Sequence, residues 1–156
     1  MAFKFTTTIP EGLKRYKAKL DLEGKGGVDF QARTQTAKQF LNWSNQGSGN
    51  DSTVPPIKTG NLRGSASVFV GDVMVQDTRG KIGTPLRTYS GKKGNVSIIY
   101  NTAYAARMHE DSWEAGSVSQ QSGDVGNKWL EKHMKADGKD LMQMYANLIK
   151  QGMAGA

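Results

Sequence analysis

The chain contains no cysteine. Disulfide scaffolds, thiolate metal sites and a catalytic thiol are thereby excluded. Only two histidines occur among 156 residues, so metal or general-base chemistry would have to pass through one of them or through carboxylates alone. Large aliphatic side chains are scarce as well. Leu, Ile, Val and Phe together number 29, roughly 19% of the chain, just under the level of about 20% at which a highly charged chain stays disordered. With a net charge of only +7, the deficit reads instead as a thin core in a single domain spanning residues 1–156, one that leans on burial against other subunits. Long apolar runs are missing too. The longest, such as Ala66 to Val70, fall far short of the ~20 residues of a membrane span, and the opening Met-Ala-Phe-Lys-Phe-Thr-Thr-Thr carries no apolar signal core. The expectation is a soluble protein of a cytoplasm-like compartment, with no membrane partner.

What the chain does have is positive charge: 21 Lys and Arg against 14 Asp and Glu. Such a surface draws polyanions towards it without saying which. It also has helical periodicity. Ile9, Leu13, Tyr16 and Leu20 recur at spacings that lay one apolar stripe along a helix, with Thr8 as cap, Pro10 in the first turn and Gly24, Gly26 and Gly27 at the end. Lys14, Arg15, Lys17 and Lys19 occupy the rest of its circumference. A second helix is predicted from about Asp29 to Ser44, with Phe30, Ala37, Phe40 and Leu41 in phase, and a last one from near Asn127 to about Lys150, interrupted at Asp137-Gly138. Strands are predicted over Ser65 to Gln76, with a tight turn or bulge at Gly71-Asp72, and over Asn95 to Tyr100.

Three polar stretches, 45–58, 77–94 and 111–126, carry little that a monomer could bury. They are long for a compact domain, in which most connections run to about 4–6 residues. They read as loops that repay their ordering across an interface with other subunits. The middle one is basic and glycine-rich: Arg79, Lys81, Arg87, Lys92 and Lys93 surround Tyr89, a composition suited to tracking a phosphate backbone and stacking a base, or to docking on an acidic neighbour.

Catalytic motifs are absent. His109-Glu110-Asp111 begins like the helical zinc motif, but Trp113 stands where its second histidine belongs. His133 falls near the apolar side of the last helix, which suits a partly buried, hydrogen-bonded histidine. Ser90-Gly91-Lys92-Lys93-Gly94 lacks the spacing of a phosphate-cradling loop, and Gly47-Ser48-Gly49 that of a nucleophile elbow. Neither an enzyme nor a cofactor is expected.

Three segments in order carry a resemblance. They are Pro55-Pro56-Ile57-Lys58-Thr59-Gly60-Asn61-Leu62-Arg63-Gly64-Ser65, then Tyr100-Asn101-Thr102-Ala103-Tyr104-Ala105-Ala106-Arg107-Met108-His109-Glu110-Asp111, then Gly126-Asn127-Lys128-Trp129-Leu130-Glu131. With the two N-terminal helices, this pattern from about residue 10 to 150 resembles the neck and tail-completion proteins of tailed bacteriophages, a group that includes minor capsid and tail-component proteins. The chain departs from the pattern at Ala103, where the family often has proline, and in the length of its 77–94 loop.

The resemblance implies an α+β subunit, with N-terminal helices and a C-terminal helix packed on a small antiparallel sheet. It implies a homo-oligomeric ring of six or twelve copies in the head–tail neck of the virion, assembled in the host cytoplasm beside connector and tail proteins and surrounding the DNA channel. A tail-terminator or tail-tube subunit, or a basic nucleic-acid-binding accessory protein, are the alternatives. The motif residues Thr59, Gly60, Leu62, Arg63, Tyr104, His109, Glu110 and Trp129 are the interface candidates. Leu62 is expected to point inward and Arg63 outward, Tyr104 and Trp129 to anchor the strand end against the last helix, and His109 and Glu110 to lie at the surface.

Overall fold

A computed structural model of the protein describes residues 2–6, 27–57, 60–78, 83–114, 116 and 124–154. The helix expected over Ile9 to Leu20 lies outside them, as do Thr59, Arg79 and Lys81.

Helix α1 runs over Val28–Gln46, with Asp29 in its first turn, and ends where Gly47 turns into the left-handed region. It presents Ala37, Phe40 and Leu41 to the core. The strand β1 (Ala2–Thr6) opens the chain, and β2 is the two-residue Thr53–Val54. A single 3-10 turn, Arg63–Ser65, leads into β3 (Ala66–Val70), followed by β4 (Val73–Asp77) and β5 (Asn95–Tyr100). The short helix α2 (Ala105–Glu110), the two-residue β6 (Asp124–Val125) and the long α3 (Trp129–Ala154) complete the order.

The main sheet has the order β1-β5-β3-β4, every pair antiparallel. β3 and β4 form a hairpin across Gly71-Asp72, with Val70 opposite Val73. Gly71 at φ 62 supplies the positive φ that the first position of such a two-residue turn demands. A bulge follows: Val68 opposes Gln76 and Phe69 opposes Met74, leaving Val75 as the extra residue. Ala66, Val68, Val70, Val96, Ile98 and Tyr100 alternate along the two central strands and face the helices, where they meet Phe40, Leu41, Leu130 and Leu141. The fold is therefore α+β, helices packed on a small antiparallel sheet, as the sequence led us to expect.

The other face of the sheet is covered by residues 83–94. Tyr89 lies against Phe69 with ring centroids 5.4 Å apart, Pro85 is buried, and Gly91 passes so close to Gly71 that a Cβ there would come within 2.1 Å of the Gly71 carbonyl oxygen. In the described part of this loop the chain packs on itself, because the outward-facing Phe69 needs a cover, so Tyr89 is not presented as a base-stacking platform. The 45–58 loop also departs from expectation. Thr53, Val54, Pro55 and Pro56 are buried, and β2 pairs in parallel with β6. Both loops were expected to reach out of the monomer; the buried Val54, Pro55 and Pro56 hold the first one in.

Helix α3 is continuous through Asp137-Gly138. Asp137 would ordinarily favour a break, but it is fully buried and hydrogen-bonded, and one glycine in a helix costs only about 1 kcal/mol. Among the described residues, no helix is long and apolar enough to cross a membrane.

Candidate interface and its supporting core

The second and third segments that carry the resemblance meet at the start of α3, and the described part of the first joins the second through Ser65 and Asn101. Trp129, its first residue, is fully buried. Its indole stands edge-on to Tyr100 at 5.7 Å and to His109 at 4.8 Å between ring centroids, the arrangement that aromatic quadrupoles favour. The Tyr100 hydroxyl donates to Asn45 Oδ1 at 2.5 Å. Asn45 in turn donates from Nδ2 to the Arg63 carbonyl at 3.5 Å, and Asn101 N donates to the Ser65 carbonyl at 3.0 Å. Burial pushes the Tyr100 hydroxyl well above the ordinary range of a tyrosine, so it stays a donor.

Leu62 is 3% exposed and belongs to the core, as expected. Arg63 does not point freely outward. Its Nε donates to the Pro55 carbonyl at 2.7 Å, because Leu62 to Ser65 form a 3-10 turn rather than the start of a strand and adjacent side chains do not alternate there. Gly60 turns the chain at φ 86.

His109 overturns the expectation that it lies at the surface: it is fully buried against Trp129. Its Nδ1 lies 2.6 Å from Glu110 Oε1. Burial holds the imidazole below its ordinary range, and the Glu110 hydrogen bond opposes that effect only in part. Glu110 is exposed, as expected, and Lys128 Nζ donates to its Oε2 at 2.7 Å. That hydrogen bond is the main reason its carboxyl is held below the usual carboxylate range, with His109 adding to it. Lys128 has a left-handed backbone, φ 53. Its N–H donates to the His109 carbonyl at 2.7 Å, which fixes the junction between α2 and α3.

Tyr104 does not share the anchoring role of Trp129. It precedes α2 and is 40% exposed. On the same side of α2 lie Arg107 and Asp111, 3.7 Å apart and largely exposed. The surface above the aromatic knot is thus one exposed tyrosine among charges, the composition of an interface anchor with its rim.

The basic loop is less concentrated than the sequence suggested. Arg87 pairs with Asp77 at 2.8 Å, while Lys92 and Lys93 are exposed beside the β3–β4 turn.

A second buried network escaped most of the sequence reading. His133 is hydrogen-bonded, as expected, but fully rather than partly buried, with Nδ1 2.9 Å from Asp137 Oδ2 and Nε2 2.8 Å from the Thr53 carbonyl. Asn50 N donates to Asp137 Oδ1 at 2.6 Å. Gly49 makes this approach possible, since a Cβ there would sit 2.9 Å from both carboxylate oxygens. Asp51 lies 3.9 Å from His133; burial works against its charge, but hydrogen bonds from Thr53 and the nearby imidazole leave its carboxyl below the usual range. The i, i+4 spacing of His133 and Asp137 was the available signal. Among the described residues, no group of His, Asp and Glu is arranged to hold a metal ion.

No protein-family model, no curated protein and no solved structure matches this chain.

Proposed function

We propose that the protein is a non-enzymatic structural subunit of a tailed-phage virion, a ring component of the head–tail neck that completes the connector or the tail end and surrounds the DNA channel. Six or twelve copies would close the ring, with connector and tail proteins above and below it. The observation that supports this reading is the convergence of the three resembling segments. Residues 55–65, 100–111 and 126–131 are far apart in sequence, yet they interlock through Asn45, Tyr100, His109 and Trp129. Parts of one structural unit are expected to do this; chance echoes of a family pattern have no reason to. The exposed Tyr104 above that knot is the natural anchor for a neighbour.

A phage genome lacking the coding sequence tests it. The expected result is DNA-filled heads and free tails that fail to join, restored by supplying the protein. Complete infectious particles without it would contradict the reading. A tail-terminator or tail-tube role would instead show as tails of abnormal length or missing tails.

The exposed Lys92 and Lys93, with a pI near 9.6, favour a second reading as a nucleic-acid-binding accessory protein. Docking of these lysines on an acidic neighbour is the better account within a neck, because a channel that DNA must traverse gains little from holding it.

A further inference from the structure

The ring of His133 is set between two oxygen atoms that both call for a hydrogen. Its Nε2 lies 2.8 Å from the Thr53 carbonyl oxygen, which has no hydrogen to give, so Nε2 must carry one. Its Nδ1 lies 2.9 Å from Asp137 Oδ2. A neutral imidazole has a single N–H, and once Nε2 holds it, Nδ1 and an ionised Oδ2 would face each other lone pair to lone pair. Both side chains are fully buried, so bulk water does not relieve that opposition. One more proton must lie between them.

The neighbours decide which atom holds it. Asp137 Oδ1 already accepts from Asn50 N at 2.6 Å, a hydrogen bond that favours the ionised carboxylate. Asp51 stands 3.9 Å from Nε2 on the other side of the ring; burial works against its charge, but the Thr53 hydrogen bonds help to keep its carboxyl below the usual range. An anion on each side favours the charged ring. We propose that His133 is an imidazolium in the folded protein and that its second proton is a latch, holding residues 49–53 on α3 at neutral pH and letting go as the pH rises. Without that proton Nδ1 and Asp137 repel each other, and the carboxylate that ties Asn50 to the helix is pushed away from the ring that ties Thr53 to it.

Other charged groups stand around the latch. Lys132 attracts Asp51 and opposes the charge on the ring. Asp140 accepts from Asn50 Nδ2 at 2.8 Å, and Asp124 of β6 accepts from Ser52 Oγ at 2.6 Å; both support that charge. Among the described residues, the ion-pair partners of the ring are Asp51 and Asp137, and none comes from α1 or the main sheet.

The direction of the pH effect follows from the proton count. In the unfolded chain a histidine gives up its proton near the ordinary value of about 6.5, whereas the folded pair keeps it to higher pH. The stabilisation from the latch is therefore complete below that ordinary value and is lost as the pH rises through the folded one. His109, held below its ordinary range, acts on the acid side and is neutral in both states above about pH 7.5.

Asp137→Asn separates a proton latch from a merely structural contact. Asparagine brings its own hydrogen: Nδ2 can donate to a neutral Nδ1 while Oδ1 keeps the Asn50 bond, so every partner is served without the extra proton. Urea unfolding of the full-length parent and of Asp137→Asn, from about pH 7.5 to about pH 9.5, reads the difference. The folding constant of the parent is expected to fall relative to that of the variant by up to about tenfold per pH unit, the limit for one proton. Parallel profiles would overturn the proposal. A second measurement needs only the parent, labelled with isotopic nitrogen in its histidines and read by NMR at about pH 8. His133 is expected to carry hydrogen on both ring nitrogens and His109, recognised by its contacts with the Trp129 indole, on one. Two singly protonated rings would overturn the proposal whatever the variant does.

Discussion

The carboxamide of Asn45 joins two of the resembling segments at once, accepting the Tyr100 hydroxyl at 2.5 Å and donating to the Arg63 carbonyl at 3.5 Å. Tyr100 is 1% exposed, so its hydroxyl has no water to turn to if Asn45 is lost. Asn45→Ala should cost about 1–3 kcal/mol and Tyr100→Phe about 1 kcal/mol. Urea unfolding of both variants and the double variant checks the coupling: the double variant should be more stable than the sum of the single losses implies. Additive losses would mean that the hydrogen bond carries no shared energy.

The Asp137 network predicts a larger effect. Asp137→Ala removes the carboxylate that receives Asn50 N and faces His133, leaving the fully buried His133 without its Nδ1 partner and the Asn50 loop untied, and should cost about 3–5 kcal/mol. Gly49→Ala should also destabilise, because φ is +104 there and the new methyl would meet the Asp137 carboxylate. Paired thermal melts of the two variants measure this. A Gly49→Ala protein as stable as the parent would show that the loop does not grip α3.

Acid should weaken the fold through His109. Burial holds its folded-state value below the ordinary 6.5, so the unfolded chain takes up the proton first. The stabilisation is present above that ordinary value and is lost as the pH falls through the folded one. Urea midpoints should therefore drop between about pH 7.5 and pH 5, the range that brackets histidine titration. His109→Gln should flatten that drop while lowering stability at neutral pH. An unchanged pH slope in the variant would contradict the assignment.

The fold was readable where one residue pattern dominated. Phe40 and Leu41 marked α1, the Val68 and Val70 alternation marked β3, and Gly71-Asp72 marked the hairpin turn. β1 was missed because five residues opening a chain gain strand character only by pairing with β5. The β2–β6 ladder has two residues on each side and no periodicity to detect. Asp137-Gly138 read as a break because local propensity cannot see Asn50, 87 residues away in sequence. His109 read as surface for a similar reason: Trp129 buries it, and Trp129 follows it by 20 residues. The Tyr100 and Trp129 pairing needed two elements brought together, whereas inward Leu62 needed only its own hydrophobicity.

The surface and the loop predict opposite behaviours. Tyr104→Ala and Arg107→Glu should leave the melting temperature nearly unchanged, since both side chains are exposed, and should reduce incorporation into particles. Lys92→Glu with Lys93→Glu should do the same without any DNA effect. A salt titration of the free protein with short duplex DNA should show only weak binding; tight, steeply salt-dependent binding would favour the accessory-protein reading instead.

The most direct test is the position of the protein in the particle. Electron cryo-microscopy of the tailed particle, with the protein located by antibody label and by fitting its four-stranded sheet and paired helices, should place a closed ring of six or twelve copies at the head–tail junction. Label along the tail tube, label only on packaged DNA, or none in the particle would contradict the account.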